Sequence, residues 1–377
     1  MARRGPSAGP ALTTPPATEP RAVGGRPPRP RTGNYTPDHR SYPMHVRSLP
    51  LTATALTATA ALLLAACSGA DSTDDTKNAR PAPSDGAAGA TGVVSRAGAH
   101  RIVDRYEKVN NAANKTRNAR LLATVEGGNL LERSSAAYEQ FETLSAKEQK
   151  AYVKPFFYQE RRFLIPARGE ADWFMFIGRS NNSTGAGRSV HVFDKSRDGW
   201  RMTVSVPAGT DFPKIATGAD GLATPVAATA RTGPHTPADI PDAYEDLWST
   251  GGRKEGRILA DNKVAREARE GYRDRNDGWD PRQAGRFFLR SEPEHRDTYA
   301  LKTAEGGALA VVPLAHQQVS RVLSGGLEIT PDAEGKIYDP RPRPVVIDDF
   351  HGQALAHLPA TGKPRVLSAR YEFVDSH

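Results

Sequence analysis

The chain of 377 residues is long enough for two domains, and its 38% hydrophobic and 25% charged residues are the balance of a globular protein carrying some low-complexity sequence. Its formal net charge of +8 points to a polyanion partner only until it is divided: residues 1–66 hold eight arginines against Glu19 and Asp38, which leaves +2 for the rest and removes nucleic acid as an expected partner. The single cysteine, Cys67, excludes an intrachain disulfide.

Residues 1–43 are rich in proline and arginine, have no periodicity and read as disordered; Met44 is the expected start of the chain, with the stretch before it as upstream sequence, and a true disordered leader is the alternative. From Met44 to Ala66 the chain reads as an export signal. His45 and Arg47 give a short positive start, Leu51 to Leu64 is apolar apart from threonines, and small residues close it at Ala65-Ala66. The apolar stretch is too short to cross a hydrocarbon layer of about 30 Å. Leu64-Ala65-Ala66-Cys67 resembles the lipobox of bacterial lipoproteins. That resemblance implies cleavage before Cys67 and a diacylglyceryl group on its sulfur, and two acyl chains give stable anchoring. Residues 67–98, made of Ser, Gly, Ala, Asp, Thr and Pro, form the expected flexible linker between membrane and folded body.

A first α+β domain is expected over residues 99–212. Ile102, Tyr106, Val109 and Ala113 recur at helical spacing, Gly127-Gly128 interrupts, and a second helix runs through Tyr138, Phe141 and Leu144. Ser145-Ala146-Lys147-Glu148 is a capping-box pattern for a third helix before Pro155. Then the period changes. Phe156–Pro166, Trp173–Arg179, Val190–Lys195 and Trp200–Val206 read as antiparallel strands, with a hairpin turn at Asp198-Gly199.

Residues 213–238 read as a linker of Ala, Thr, Gly and Pro, and residues 239–377 as a second α+β domain. Pro241–Trp248 and Lys254–Tyr272 are helical, followed by strands at Arg286–Arg290, Thr298–Thr303, Ala308–Leu314, Val345–Asp348 and Arg365–Val374. The turn at Glu305-Gly306-Gly307 repeats the strand, tight turn, strand order of the first half, a pattern of duplication. The order of helices before a curved antiparallel sheet resembles the NTF2-like or cystatin-like cone folds. The whole mature chain resembles uncharacterised two-domain lipoproteins of actinobacteria. The lipobox, the helix with Tyr106, Asn110, Asn111 and Asn114, and the break at Val125-Glu126-Gly127-Gly128 carry that resemblance, which brings no catalytic residues with it.

No phosphate loop and no nucleophile elbow is present, and Cys67 is committed to the anchor. No metal-ligand spacing is recognisable. The best cluster of titratable groups is Asp348, Asp349, His351 and His357, expected just after a strand, where an imidazole oriented by a carboxylate could act as a base. His191, within a strand, faces either a ligand cavity or solvent. The aromatics Phe156, Phe157, Tyr158, Trp173, Phe174 and Phe176 are expected in the core. Neither metal nor cofactor is expected. The reading is a membrane-anchored extracytoplasmic lipoprotein, a non-catalytic binding or scaffolding module for an envelope protein or small ligand. The alternatives are a transporter's solute-binding lipoprotein and a cone-fold enzyme using Asp348 or His351.

Overall fold

The computed structural model describes residues 91–377, apart from 184–186, 209–210 and 325, together with the backbone of residues 12–13. The rest of the leader, the export signal, Cys67 and the linker as far as residue 90 lie outside the described residues. Leu12–Thr13 (β1) pairs antiparallel with Glu328–Ile329 (β9).

The first helix, α1 (Arg96–Thr116), begins where the Ser95 side chain accepts the Gly98 N–H and ends at Arg117 in the left-handed region. Its buried stripe, Ala99, Val103, Tyr106, Asn110 and Ala113, follows the 3.6-residue period. A short α2 (Ala119–Leu122) leads to Gly127-Gly128. Gly128 has φ of +58°, a conformation that glycine adopts without strain, and it opens α3 (Gly128–Glu139). The capping box of Ser145 and Glu148 starts α4 (Ala146–Tyr152) as expected from its sequence.

Strands β2 (Tyr158–Leu164), β3 (Trp173–Ser180), β4 (Ser189–Ser196) and β5 (Gly199–Pro207) form an antiparallel sheet in chain order. Alternation divides each strand between two cores. Phe174, Phe176 and Phe193 pack under the helices, while Met175, Ile177, Val190 and Val192 face away from them. Each fully buried phenylalanine contributes about 1.5–3 kcal/mol through burial. Of the six aromatics expected inside, Phe157 is exposed.

In the second half, α5 (Ile240–Thr250) and α6 (Lys263–Asp274) cover a sheet of order β11-β10-β8-β6, with β7 paired to β8. Its strands are β6 (Ala284–Arg290), β7 (Tyr299–Lys302), β8 (Ala308–Val322), β10 (Val345–Leu358) and β11 (Arg365–Ser376), and α7 (Gly335–Tyr338) lies between β9 and β10. Gly271 is an otherwise costly residue in a helix interior, but a Cβ there would lie 2.3 Å from the Trp248 ring, so the glycine lets α6 approach α5.

The protein is α+β, with two antiparallel sheets. Their inner faces share one core: Met175, Val192 and Val204 from the first sheet pack with Leu301, Leu309, Val311 and Leu355 from the second. The layers run helices, sheet, sheet, helices. Segment 213–238 takes part in that core through Ile215 and Ala223, and it is bridged to Thr303 and Leu301 on one side and to Pro166 on the other.

Candidate functional site

A cavity of about 140 Å³ opens between the helices and the sheet of the first half, closed on one side by β11 of the second. Tyr106, Asn110 and Asn114 enter it from α1, Arg133, Ser134 and Ala137 from α3, and Arg370 and Glu372 from β11. Ser189 and Ser205 come from β4 and β5, and the exposed Lys154 marks its mouth.

Glu126 supplies its central charge. It sits at the turn before α3, is 2% exposed, and is held there because Gly127 bonds to Met202 and Val125 accepts the Met202 N–H. Tyr106 Oη donates to Glu126 Oε1 at 2.8 Å, and Asn110 Nδ2 donates to the same oxygen at 2.9 Å. The chain continues outward, since Asn114 Nδ2 donates to Asn110 Oδ1 and Tyr138 Oη donates to Asn114 Oδ1, both at 2.7 Å. Burial raises the Glu126 pKa to about 7, against the pull of Ser134, Tyr106, the Arg133 charge and Asn110. Ser134 is the further hydroxyl that pulls on the carboxylate, yet Oε2 makes no hydrogen bond of good geometry. A buried carboxyl near half-protonation, with one open oxygen in a cavity, can accept a hydrogen bond or donate one to a bound molecule.

One wall is an ion cluster joining the halves. Arg133 pairs with Glu372 through its Nε and donates from a terminal nitrogen to Gln353 Oε1 at 3.0 Å, while Arg370 Nε lies 2.7 Å from the other Glu372 oxygen. Asn111 is structural, since its side chain donates to the Phe156 carbonyl and accepts from the Phe156 N–H.

The cluster expected after a strand is instead part of β10, which alternates faces. Asp348 accepts from Ser376 Oγ at 2.8 Å, and burial raises its pKa to about 6. Asp349 accepts from Gln317 at 3.0 Å and faces His377 at 3.4 Å. His351 Nδ1 meets Glu132 at 2.9 Å, and His357 meets Arg365 at 3.4 Å. Asp348 and His351 are therefore not brought together as an acid–base pair. His191 faces neither solvent nor the cavity. It is 0% exposed, lies between Phe176 and Tyr158 with ring centroids 4.6 Å from each, and burial lowers its pKa to about 3.

A further buried group went unmarked by sequence reasoning. Glu245 on α5 accepts from Tyr371 Oη at 2.6 Å and meets His316 Nδ1 at 3.0 Å, enclosed by Trp248 and Phe288. It does not line the cavity. The charged stretch of α6 is a solvated face, with Arg266 and Arg269 both paired to Asp261.

The fold and cavity define an α+β protein with a polar ligand-sized cavity at the seam of two sheet-and-helix layers. Residues 90–377 match the family described as Domain of unknown function (DUF8094), and the chain belongs to that family. It is also similar to an uncharacterized lipoprotein of Streptomyces coelicolor, with 29% identity over 319 residues, covering 82% of this chain and 89% of that one. The family is thus one of uncharacterised lipoproteins from actinobacteria. No solved structure matches. Among the described residues no helix is long and apolar enough to cross a membrane.

Proposed function

We propose that the protein is a ligand-binding module of the cell envelope, anchored by lipid on Cys67 at the extracytoplasmic face, whose cavity holds a small polar molecule against Glu126. The carrying observation is a carboxyl that is 2% exposed, lines a cavity, and has one oxygen, Oε2, without a hydrogen bond of good geometry, Ser134 being the only further hydroxyl that pulls on it. A buried polar atom left without a partner costs about 1–3 kcal/mol, which a ligand offering a donor would offset. The cavity's 140 Å³ sets the size. An engineered cavity of about 150 Å³ admits benzene, so the ligand is a small amine, amino acid or polyol. The helix-over-sheet placement of the cavity supports the cone-type reading of the first half, and the lipobox together with the name of the Streptomyces relative supports the anchor.

The anchor is tested by fractionation. Wild-type protein should partition with membranes, and Cys67→Ser should move into the soluble fraction. Retention of that variant in membranes at the wild-type level would remove the anchor from this reading.

The cavity is tested by a thermal-shift screen of small amines, amino acids and polyols on the full chain carrying Cys67→Ser. Hits should lose at least tenfold in affinity with Ala137→Phe, which fills the space, and with Glu126→Gln. Unchanged affinity in the filled variant would place binding elsewhere. A second reading, general acid–base catalysis by Glu126, is favoured by its pKa near neutrality. It predicts that Glu126→Gln still holds the molecule but no longer converts it.

A further inference from the structure

Glu132, the residue before Arg133 on α3, is met by two histidines of the second half. Its Oε1 lies 3.2 Å from His295 Nε2, and its Oε2 lies 2.9 Å from His351 Nδ1. Glu294, beside His295 in the connection from β6 to β7, brings a second carboxylate to the same point. Ligand atoms of Glu132, Glu294 and His295 all fall within 4.8 Å of one another. Two carboxylates that close repel unless a proton or a cation lies between them. The position is also built into the fold: the His295 ring rests over Gly128, whose missing Cβ would stand 3.7 Å from it, at the first residue of the helix that carries Glu132.

The donor set selects the kind of cation. Carboxylates alone suit magnesium or calcium, and an imidazole among them shifts the preference towards zinc and its neighbours. Ligand bonds of about 2.0–2.2 Å at tetrahedral angles set donors about 3.4 Å apart, so groups already within 4.8 Å of one another reach a common ion by closing about 1 Å or a little more, within the reach of side-chain rotations. We propose that Glu132, Glu294 and His295 form a site for a divalent ion of the zinc class, with His351 as the positioning residue that holds the Glu132 carboxylate. The imidazole of His351 occupies Oε2 and turns Oε1 towards the ion, the outer-shell arrangement that orients metal-binding carboxylates. The ion ties α3 to the β6–β7 connection and to β10, so it clasps the two halves. This inference is independent of what the cavity binds.

The test uses the full chain with Cys67→Ser, which removes the only thiol, purified without an affinity tag and stripped with chelator. Calorimetric titration with zinc chloride should show one site of roughly micromolar or tighter affinity, and the melting temperature should rise with zinc by mass action. The double variant Glu294→Gln/His295→Ala should lose at least a hundredfold in affinity. Both residues lie in an irregular surface connection, so its metal-free melting should stay near the parent's. His351→Ala should weaken binding about ten- to a hundredfold. No zinc binding by the parent up to about 1 mM would overturn the site. So would unchanged affinity in the double variant, which would move the ion elsewhere, for instance to Asp349, Asp375 and His377. Should the double variant melt early, the single Glu294→Gln decides: tenfold weaker binding supports the site and parental affinity overturns it.

Discussion

Replacing His191 with phenylalanine should make the protein more stable than the wild type, and the gap should widen as the pH falls. At neutral pH the imidazole is uncharged and closed among Phe176, Tyr158 and the first sheet, with neither ring nitrogen hydrogen-bonded. Removing two buried polar atoms from that place is worth about 1–3 kcal/mol. The pH term adds to this. Burial holds the folded-state pKa at about 3, below the ordinary value of 6.5. Its ionisation therefore costs folding nothing above pH 6.5, and stability is lost as the pH falls through the window down to about 3, because only the unfolded chain binds the proton there. At 1.36 kcal/mol per unit, the loss is roughly 3 kcal/mol at pH 4 and roughly 4–5 kcal/mol once the folded value is reached. Every carboxylate that titrates in this range is common to both proteins and cancels in the difference. Urea unfolding of wild type and variant at pH 7 and pH 4 reads it directly. Equal stability changes in the two proteins would mean that His191 meets water or a partner in solution.

Local pattern made much of this structure legible. The α1 stripe, the Ser145 capping box and the four strands of the first sheet follow from period, cap and turn residues, which act over a few neighbours. In the second half the same signals stop short. Strand β8 runs on through Pro313, which falls where β8 changes partner, between Val311 opposite β7 and His316 opposite β6, a place where a missing N–H is tolerated. Strand β10 continues past Asp348 because His351, Gln353 and Leu355 face one layer while Phe350, Ala354 and Ala356 face the other, so their mixed polarity reflects two different neighbours. The expected acid–base cluster failed for the same reason, since successive strand residues point apart.

The candidate cavity was half visible. Tyr106, Asn110, Asn114 and Glu126 stand out in the sequence as marks of family resemblance, with no chemistry attached to them. Folding places the turn bearing Glu126 beside α1, and the four become one hydrogen-bonded chain. No spacing rule reports that, because the contact crosses a helix, a turn and a strand. Arg370 and Glu372 were further out of reach: they come from β11, near the chain's end, and complete a wall begun by α3. Their placement depends on the shared core between the sheets, a feature of tertiary packing alone.

That wall also explains why Arg133→Met should be among the most damaging single substitutions, at about 3 kcal/mol or more. The Arg133 side chain is 3% exposed and that of Glu372 8%, so both charges have left water and depend on each other. Taking away one member of a buried pair leaves the other uncompensated, at a typical cost of about 3–5 kcal/mol. Arg370 still faces Glu372 from the more exposed side, which places the expected loss at the lower end of that range. The freed Gln353 oxygen keeps its bond from the Ser205 N–H. If the charge left behind is what destabilises, the double variant Arg133→Met/Glu372→Leu should recover most of the loss, because apolar groups of similar volume do not need the pairing. A double-mutant cycle in urea measures the coupling. A single-variant loss below about 1 kcal/mol, or a double variant no better than the single, would mean that water reaches the pair and that the seam between the halves is looser than a shared core implies.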